Sequence, residues 1–279
     1  MWERGGYNAN ECLSWEAWLA QDRRLISLVV AYGYYRILVH HLLGTRMWEK
    51  ILEDVAEKLA QADAYGCIFR GQRESDWKLL PGLGRTNISE DNEASMYFDF
   101  RTMAGPLLPE NISPWSLAIS MQHHGLPTRL LDWTESFAVA LFFALREGGG
   151  RPCVWMLDPY LVNERLSQNA CLYSMQDIDG DYESLFIEKT KKAQAPVIAA
   201  APNRHHPRAL SQKSLFTVHS DAQTPLNEIV PDAVKKIEIP QDAIPAAKRF
   251  LRLAGINEFT IFPDLDGLTR EIRRVHFDS

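Results

Sequence analysis

Arg70 closes a short apolar run, Cys67-Ile68-Phe69, and is followed at once by Gly71 and Gln72. A guanidinium at the end of a buried strand is expensive unless something anionic or rich in acceptors meets it. Its planar fork suits a phosphate or carboxylate ligand. It suits equally well an internal pair with a carboxylate such as Asp132. Glycine beside it removes a side chain and lets a ligand approach the backbone, and Gln72 adds an amide. Further along, "MQHHGLPTRLLDWTESFAVALFFAL" crowds His123, Arg129, Asp132 and Thr134 against a nearly unbroken apolar segment. Gly125, Pro127 and Thr128 tighten the chain so that these groups arrive together. Asp132 and Thr134 read as the start of the apolar helix, where free N–H groups and the helix dipole favour an anion. Thr134 or Glu135 would also serve simply as its cap.

Three weaker candidates follow. Gln212 precedes an apolar strand, where its amide would bond a ligand or finish a turn. Glu258 stands at the entry to an expected strand, "EFTIF", with Asp264 and Asp266 in the turn after it. Asp264 reads first as the cap of the closing helix, although each of these carboxylates could act as an acid. A metal reading would use His123, His124 and Asp132, but no spacing matches two histidines on one helical face. His205 and His206, between Arg204 and Arg208, read as a solvated loop. No metal is assigned.

The elements that must position these groups follow from periodicity and punctuation. From Ser14 to Ala64 the pattern is helical: a wide apolar face runs to Gly44, with His40 and His41 at its boundary, and Trp48, Ile51, Leu52, Val55 and Leu59 form a second stripe. The texture changes at Tyr65. "YGCIFRGQ", "TRLLDWT", "PCVWMLDP", "APVIAAAP", "KSLFTVHS" and "VKKIEIP" read as strands, and "RESDWKLLPGLGR" as a loop. "NEASMYFDFRTMAG", "ENISPWSLAISMQHHG", "ESFAVALFFALREGG" and "QDAIPAAKRFLRLAGI" read as helices, and "FTIFPDLDGLTREIRRV" as strand, turn and helix. This is an α+β pattern, with a helical N-terminal region over 1–64 and a core of short, mostly antiparallel strands over 65–279.

Bulk composition sets the remaining bounds. The chain of 279 residues is 46% hydrophobic and 24% charged, with a formal net charge of -6. No global basic field draws it to nucleic acid or anionic lipid. Cys12, Cys67, Cys153 and Cys171 show no paired spacing, which argues for a reducing compartment over a disulfide framework. The N-terminus lacks the apolar core of a secretory signal, and the longest apolar runs are too short to span a bilayer. The expectation is a cytoplasmic protein.

Taken in order, "FRGQRESDWKLLPGLGR", "MQHHGLPTRLLDWT", "ALFFAL", "SQKSLFT" and "GINEFTIFPDLDGL" closely resemble the bacterial FRG domain, named for its Phe-Arg-Gly signature, over roughly Tyr65 to Leu268. A more distant similarity is to ADP-ribosyltransferases, whose core begins with a strand ending in Arg-Gly. That core continues with a serine-bearing strand before an alanine-rich helix, and supplies a glutamate on a later strand. The resemblance implies NAD as substrate, with Arg70 on the pyrophosphate or ribose, Thr134 ordering the site and Glu258 as catalytic glutamate. Gly71, Gln72, His123, Arg129, Asp132 and Gln212 would line the dinucleotide site. It further implies a bacterial toxin or phage-defence effector acting on a macromolecule, with an antitoxin or neutralising partner. Two rivals remain: a nucleotide or nucleic-acid binding module without chemistry, and a metal-dependent nuclease using His123 and Asp132.

Overall fold

A computed structural model describes residues 46–61, 66–86, 88–202 and 212–277. The helix expected before Gly44, His40 and His41, and the Arg204–Arg208 loop lie outside the described residues. Ten helices are named here: α1 Arg46–Gln61, α2 Gly82–Thr86, α3 Glu90–Met103, α4 Pro114–His123, α5 Phe137–Leu145, α6 Pro159–Ser167, α7 Leu226–Ile229, α8 Ile244–Leu253, α9 Glu258–Ile261 and α10 Leu265–Phe277. Seven strands form one sheet: β1 Ile68–Gln72, β2 Leu130–Thr134, β3 Cys153–Leu157, β4 Tyr173–Ser174, β5 Val197–Ala201, β6 Ser214–His219 and β7 Val234–Glu238. Their order is β4-β5-β6-β2-β1-β3-β7. Every pair is antiparallel except β4 with β5. The fold is α+β, with a mixed and mostly antiparallel sheet.

Side chains alternate across this sheet as strand geometry requires. On one face, Ile68, Leu131, Trp133, Trp155 and Leu215 pack beneath α6 and α7. The other face carries two separate helical packs. Phe69, Val154, Met156 and Ile237, from β1, β3 and β7, meet α1, α5 and α8. Leu130, Ile198, Phe216 and Val218, from β2, β5 and β6, meet α3 and α4. The division between the packs falls between β1 and β2. These strands share a single bridge, Phe69 opposite Thr134, whereas β1–β3 and β2–β6 each run through five pairs. Beyond that bridge the two central strands part, leaving a seam in the middle of the sheet.

The expected stripe on α1 is present in its first part, with Trp48, Ile51 and Val55 buried in the same cluster as α5 and Leu52 packed against it, while Leu59 is exposed. Glu49 in its first turn and Lys58 in its last complement the helix dipole. Three expectations need correction. Asp132 and Thr134 belong to β2, as the extended reading of "TRLLDWT" has them, and not to the start of α5; Ser136 is the N-cap and accepts from the Val139 amide. The strand expected at "EFTIF" is the short helix α9. Asn257 accepts from the Thr260 N–H at 2.9 Å, and the Thr260 hydroxyl accepts from the Asn257 N–H at 2.9 Å. This reciprocal capping box overrides the strand-like composition of Phe259, Thr260 and Ile261. Finally, the stretch read as a loop around Pro81 contains α2. Among the described residues no helix is long and apolar enough to cross a membrane.

Candidate functional site

Arg70 stands where the sheet divides. Its cross-strand neighbour on β3 is Trp155, so both side chains lie on the α6–α7 face. The guanidinium then turns into the seam. Nη1 donates to the Asp132 carbonyl at 2.9 Å and lies 3.6 Å from the Asp132 carboxylate. A side-chain donor thus occupies a β2 carbonyl in a stretch without β1–β2 ladder pairs. The Arg70 side chain is only 13% exposed, against 55% for Asp132. Its Nε is buried with no hydrogen-bond partner. Burial pushes the Arg70 pKa down to about 10; the Asp132 carboxylate opposes this and the nearby Arg85 charge adds to it. The group stays charged at neutral pH but is left short of negative charge.

Asp132 is oriented from the opposite side. Gln122, near the end of α4, donates from Nε2 to Asp132 Oδ1 at 2.5 Å. The Thr128 hydroxyl donates to Gln122 Oε1. Gly125, at φ 91°, makes the turn that lets the chain leave α4 and enter β2 beside it. Arg70, Asp132, Gln122 and Thr128 therefore form one connected polar group at the seam, with Arg85 of α2 within charge reach. Gln72 is buried and accepts from Trp155 Nε1 at 2.8 Å. It holds the floor next to Arg70. His123 ends α4 and is half-buried, its ring 5.1 Å from that of the exposed His124.

The remaining expected residues lie elsewhere. Gly71 does not open the backbone to a ligand. A Cβ at this position would meet the Ala140 carbonyl oxygen at 1.9 Å and the Ala144 nitrogen at 2.7 Å. The missing side chain lets α5 dock on β1. Arg129 is buried among internal partners: Nε and Nη2 engage Glu93 at 2.7–2.9 Å, and Nη1 donates to the Ser220 carbonyl at 2.5 Å. Tyr182 donates to the same Glu93 at 2.9 Å and accepts from the Arg129 amide at 3.1 Å. This guanidinium holds α3 to the strand entry, and burial drives the Tyr182 hydroxyl well above its ordinary value. The Thr134 hydroxyl donates to the Gln212 carbonyl at 2.6 Å and accepts from the Ser136 amide. Gln212 Nε2 reaches the Ile261 carbonyl at 3.4 Å. Together these two bind the end of β2 to α9.

Glu258 is held by Arg146, at 2.7 and 3.1 Å, and by Arg270 at 3.0 Å. Both arginines flank the Phe262 ring, at 4.5 and 5.1 Å. Arg146 caps α5, and Phe262 belongs to the α5 cluster. Glu258 therefore sits on the sheet face opposite to the Arg70 side chain. Asp264 accepts from the Gly267 amide at 2.7 Å, capping α10 as expected. Among the described residues, no group of three His, Cys, Asp or Glu side chains is placed to hold a metal.

Two features escaped the sequence reading. Gln122 stands inside the quoted "MQHHG", but nothing in its spacing marks it as the orienter of Asp132. His219 ends β6 fully buried, and burial pushes its pKa down to about 3. Trp133 Nε1 donates to Thr217 Oγ1 at 3.1 Å, and Thr217 Oγ1 lies 2.9 Å from His219 Nε2. Nδ1 of the same ring is buried with no hydrogen-bond partner. Two cavities flank the sheet. One, of about 620 Å³, opens at the far end of β1 between Ile68, Phe69, Phe137, Tyr160 and Phe250. The other, of about 230 Å³, lies on the Arg70 face beside Trp155.

No curated protein and no solved structure matches this chain. Residues 66–150 match the family model described as FRG domain, and that segment holds every member of the seam group, Arg70, Arg85, Gln122, Thr128 and Asp132.

Proposed function

We propose that the seam is the nucleotide site of an ADP-ribosyltransferase-like enzyme that uses NAD as substrate. One observation carries this reading: Arg70 is a largely buried cation whose carboxylate neighbour Asp132 lies 3.6 Å away and is itself 55% exposed, next to a second arginine. A diphosphate supplies what is missing, since it offers several acceptor oxygens and two or more negative charges to a planar multi-donor cation. The succession of Arg70-Gly71, the β2–α5 unit and the later acidic segment parallels that of ADP-ribosyltransferases. Glu258 departs from that pattern, because α9 replaces the expected strand. Asp132, which touches the Arg70 guanidinium, is the carboxylate better placed for the chemistry.

In this reaction the bond between the nicotinamide nitrogen and ribose C1′ breaks, and its electron pair leaves with nicotinamide. The cationic character that develops on the ribose is stabilised by a nearby carboxylate. A nucleophile on a macromolecular acceptor then bonds to C1′ and gives up its proton. An effector of this type, toxin or phage-defence protein, would need a neutralising partner in its own cell. A second reading, a nucleotide-binding module without turnover, is favoured by Asp132 already accepting from Gln122. Calorimetric titration with NAD and a nicotinamide-release assay separate the two. Arg70→Ala should weaken NAD binding at least about tenfold, the loss of one charge-assisted contact. Asp132→Asn should still bind NAD but release no nicotinamide, whereas Glu258→Gln should do both normally. Binding without release by the native protein supports the module. No NAD binding by the native protein overturns the enzyme reading.

A further inference from the structure

The second cavity differs from the seam in its chemistry. Its walls include two tryptophans, Trp77 and Trp155, together with Lys78, Lys236, Asn227 and Glu228. Trp77 is left 43% exposed. It is nevertheless held in place: the Arg73 guanidinium lies 5.1 Å from its ring centroid and is itself paired with Glu147. Lys236 Nζ lies 5.1 Å from the Trp155 ring and donates to the Ser75 carbonyl at 2.9 Å, which fixes the floor. An indole kept partly in water at the rim of a polar cavity is a stacking surface. Every nucleobase has a face that can use it.

Size and edge chemistry narrow the guest. At about 230 Å³ the cavity is smaller than sites that enclose whole small molecules. It fits a single ring system whose substituents continue outside. Glu228 can only accept hydrogen bonds when ionised, the lysines can only donate, and Asn227 can do both. A ring bearing an exocyclic amine together with acceptor nitrogens answers all three, and adenine has that pattern. The position matters as much. Trp155, one wall of the cavity, is the ladder partner of Arg70 and bonds to Gln72, so that wall stands next to Arg70 on the same face of the sheet.

We propose that the cavity between Trp77 and Trp155 is the adenine subsite of the nucleotide whose phosphates meet Arg70. This rests on the nucleotide reading of the seam, and the test keeps the two apart. The full chain is titrated calorimetrically with inorganic pyrophosphate and with ADP. ADP should bind about tenfold more tightly, the usual increment for one base stacked on one aromatic ring. Trp77→Ala should remove that advantage and leave pyrophosphate affinity unchanged, which also shows that the variant is folded. Trp77→Phe should keep the advantage, because a phenyl face also stacks on a base. Arg70→Ala should weaken both ligands. Equal affinities for ADP and pyrophosphate, or an unchanged ADP affinity in Trp77→Ala, would overturn the subsite. If Arg70→Ala leaves pyrophosphate binding intact while Trp77→Ala weakens ADP, the seam reading falls and the subsite stands.

Discussion

Gly71→Ala isolates the packing of α5 on the sheet. The added methyl would stand 1.9 Å from the Ala140 carbonyl oxygen and 2.7 Å from the Ala144 nitrogen. Both are backbone atoms, so no rotamer change relieves the contact. An ordinary separation requires the helix to withdraw by roughly 1.5 Å. That helix buries Val139, Ala140, Leu141, Phe142, Ala144 and Leu145, and a shift of this size loosens the whole α1–α5–α8 pack. Overpacking of this kind costs about 3 kcal/mol, the upper part of the usual range, because the obstacle cannot yield. For a chain of this length that is a melting temperature roughly 6–12 °C lower. Gly105→Ala is the matched comparison, since a Cβ there meets nothing within 4 Å; it should change stability by less than about 0.5 kcal/mol. Thermal and urea unfolding followed by circular dichroism would measure both. A Gly71→Ala protein as stable as the Gly105→Ala one refutes the docking argument, and with it the assignment of this glycine to packing.

Two further stability predictions follow from buried charge and buried base. Glu93→Ala strips the Arg129 guanidinium of its carboxylate and should cost about 3–5 kcal/mol in urea unfolding; a loss below about 1 kcal/mol would show that the network around Tyr182 is dispensable. His219 is neutral in the folded protein down to about pH 3, while in the unfolded chain it takes up a proton below about pH 6.5. The unfolded state therefore binds the extra proton between those values, and stability falls as pH falls through that window by about 1.4 kcal/mol per unit. Between pH 7 and pH 5 the native protein should lose about 2 kcal/mol more than His219→Asn; parallel pH profiles would refute this.

What the sequence made legible was set by how local each signal is. Strand composition bounded by Pro152 and Pro159 located β3, and Pro114 marked the first turn of α4. The convergence of Arg70 on Asp132 was also legible as an internal pair, since a buried arginine and a carboxylate on two apolar strands have few other solutions. Faces were harder. Arg70 and Glu258 occupy opposite sides of the sheet, Glu258 being held by Arg146 beside the α5 cluster, and the Asn257–Thr260 capping box turns the expected strand there into a helix. One local hydrogen-bond pair there outweighed the composition of four residues. Arg129 reads as a ligand group in one dimension because Glu93 and Tyr182, which occupy it, come from distant segments. His219 carried no signal at all. Its chemistry is created by burial, and its contact with the Trp133–Thr217 pair depends on β2–β6 register.

The two outer strands of the sheet have a consequence for how the molecule meets its own copies. Unpaired strand margins invite further strands to add, which is the first step of aggregation. Here one margin, β4, is only two residues long. The other, β7, presents Lys235, Lys236 and Glu238 on exposed positions. A newcomer would gain too few backbone bonds at the first and would have to desolvate clustered charge at the second, so neither rim offers a template for polymerisation.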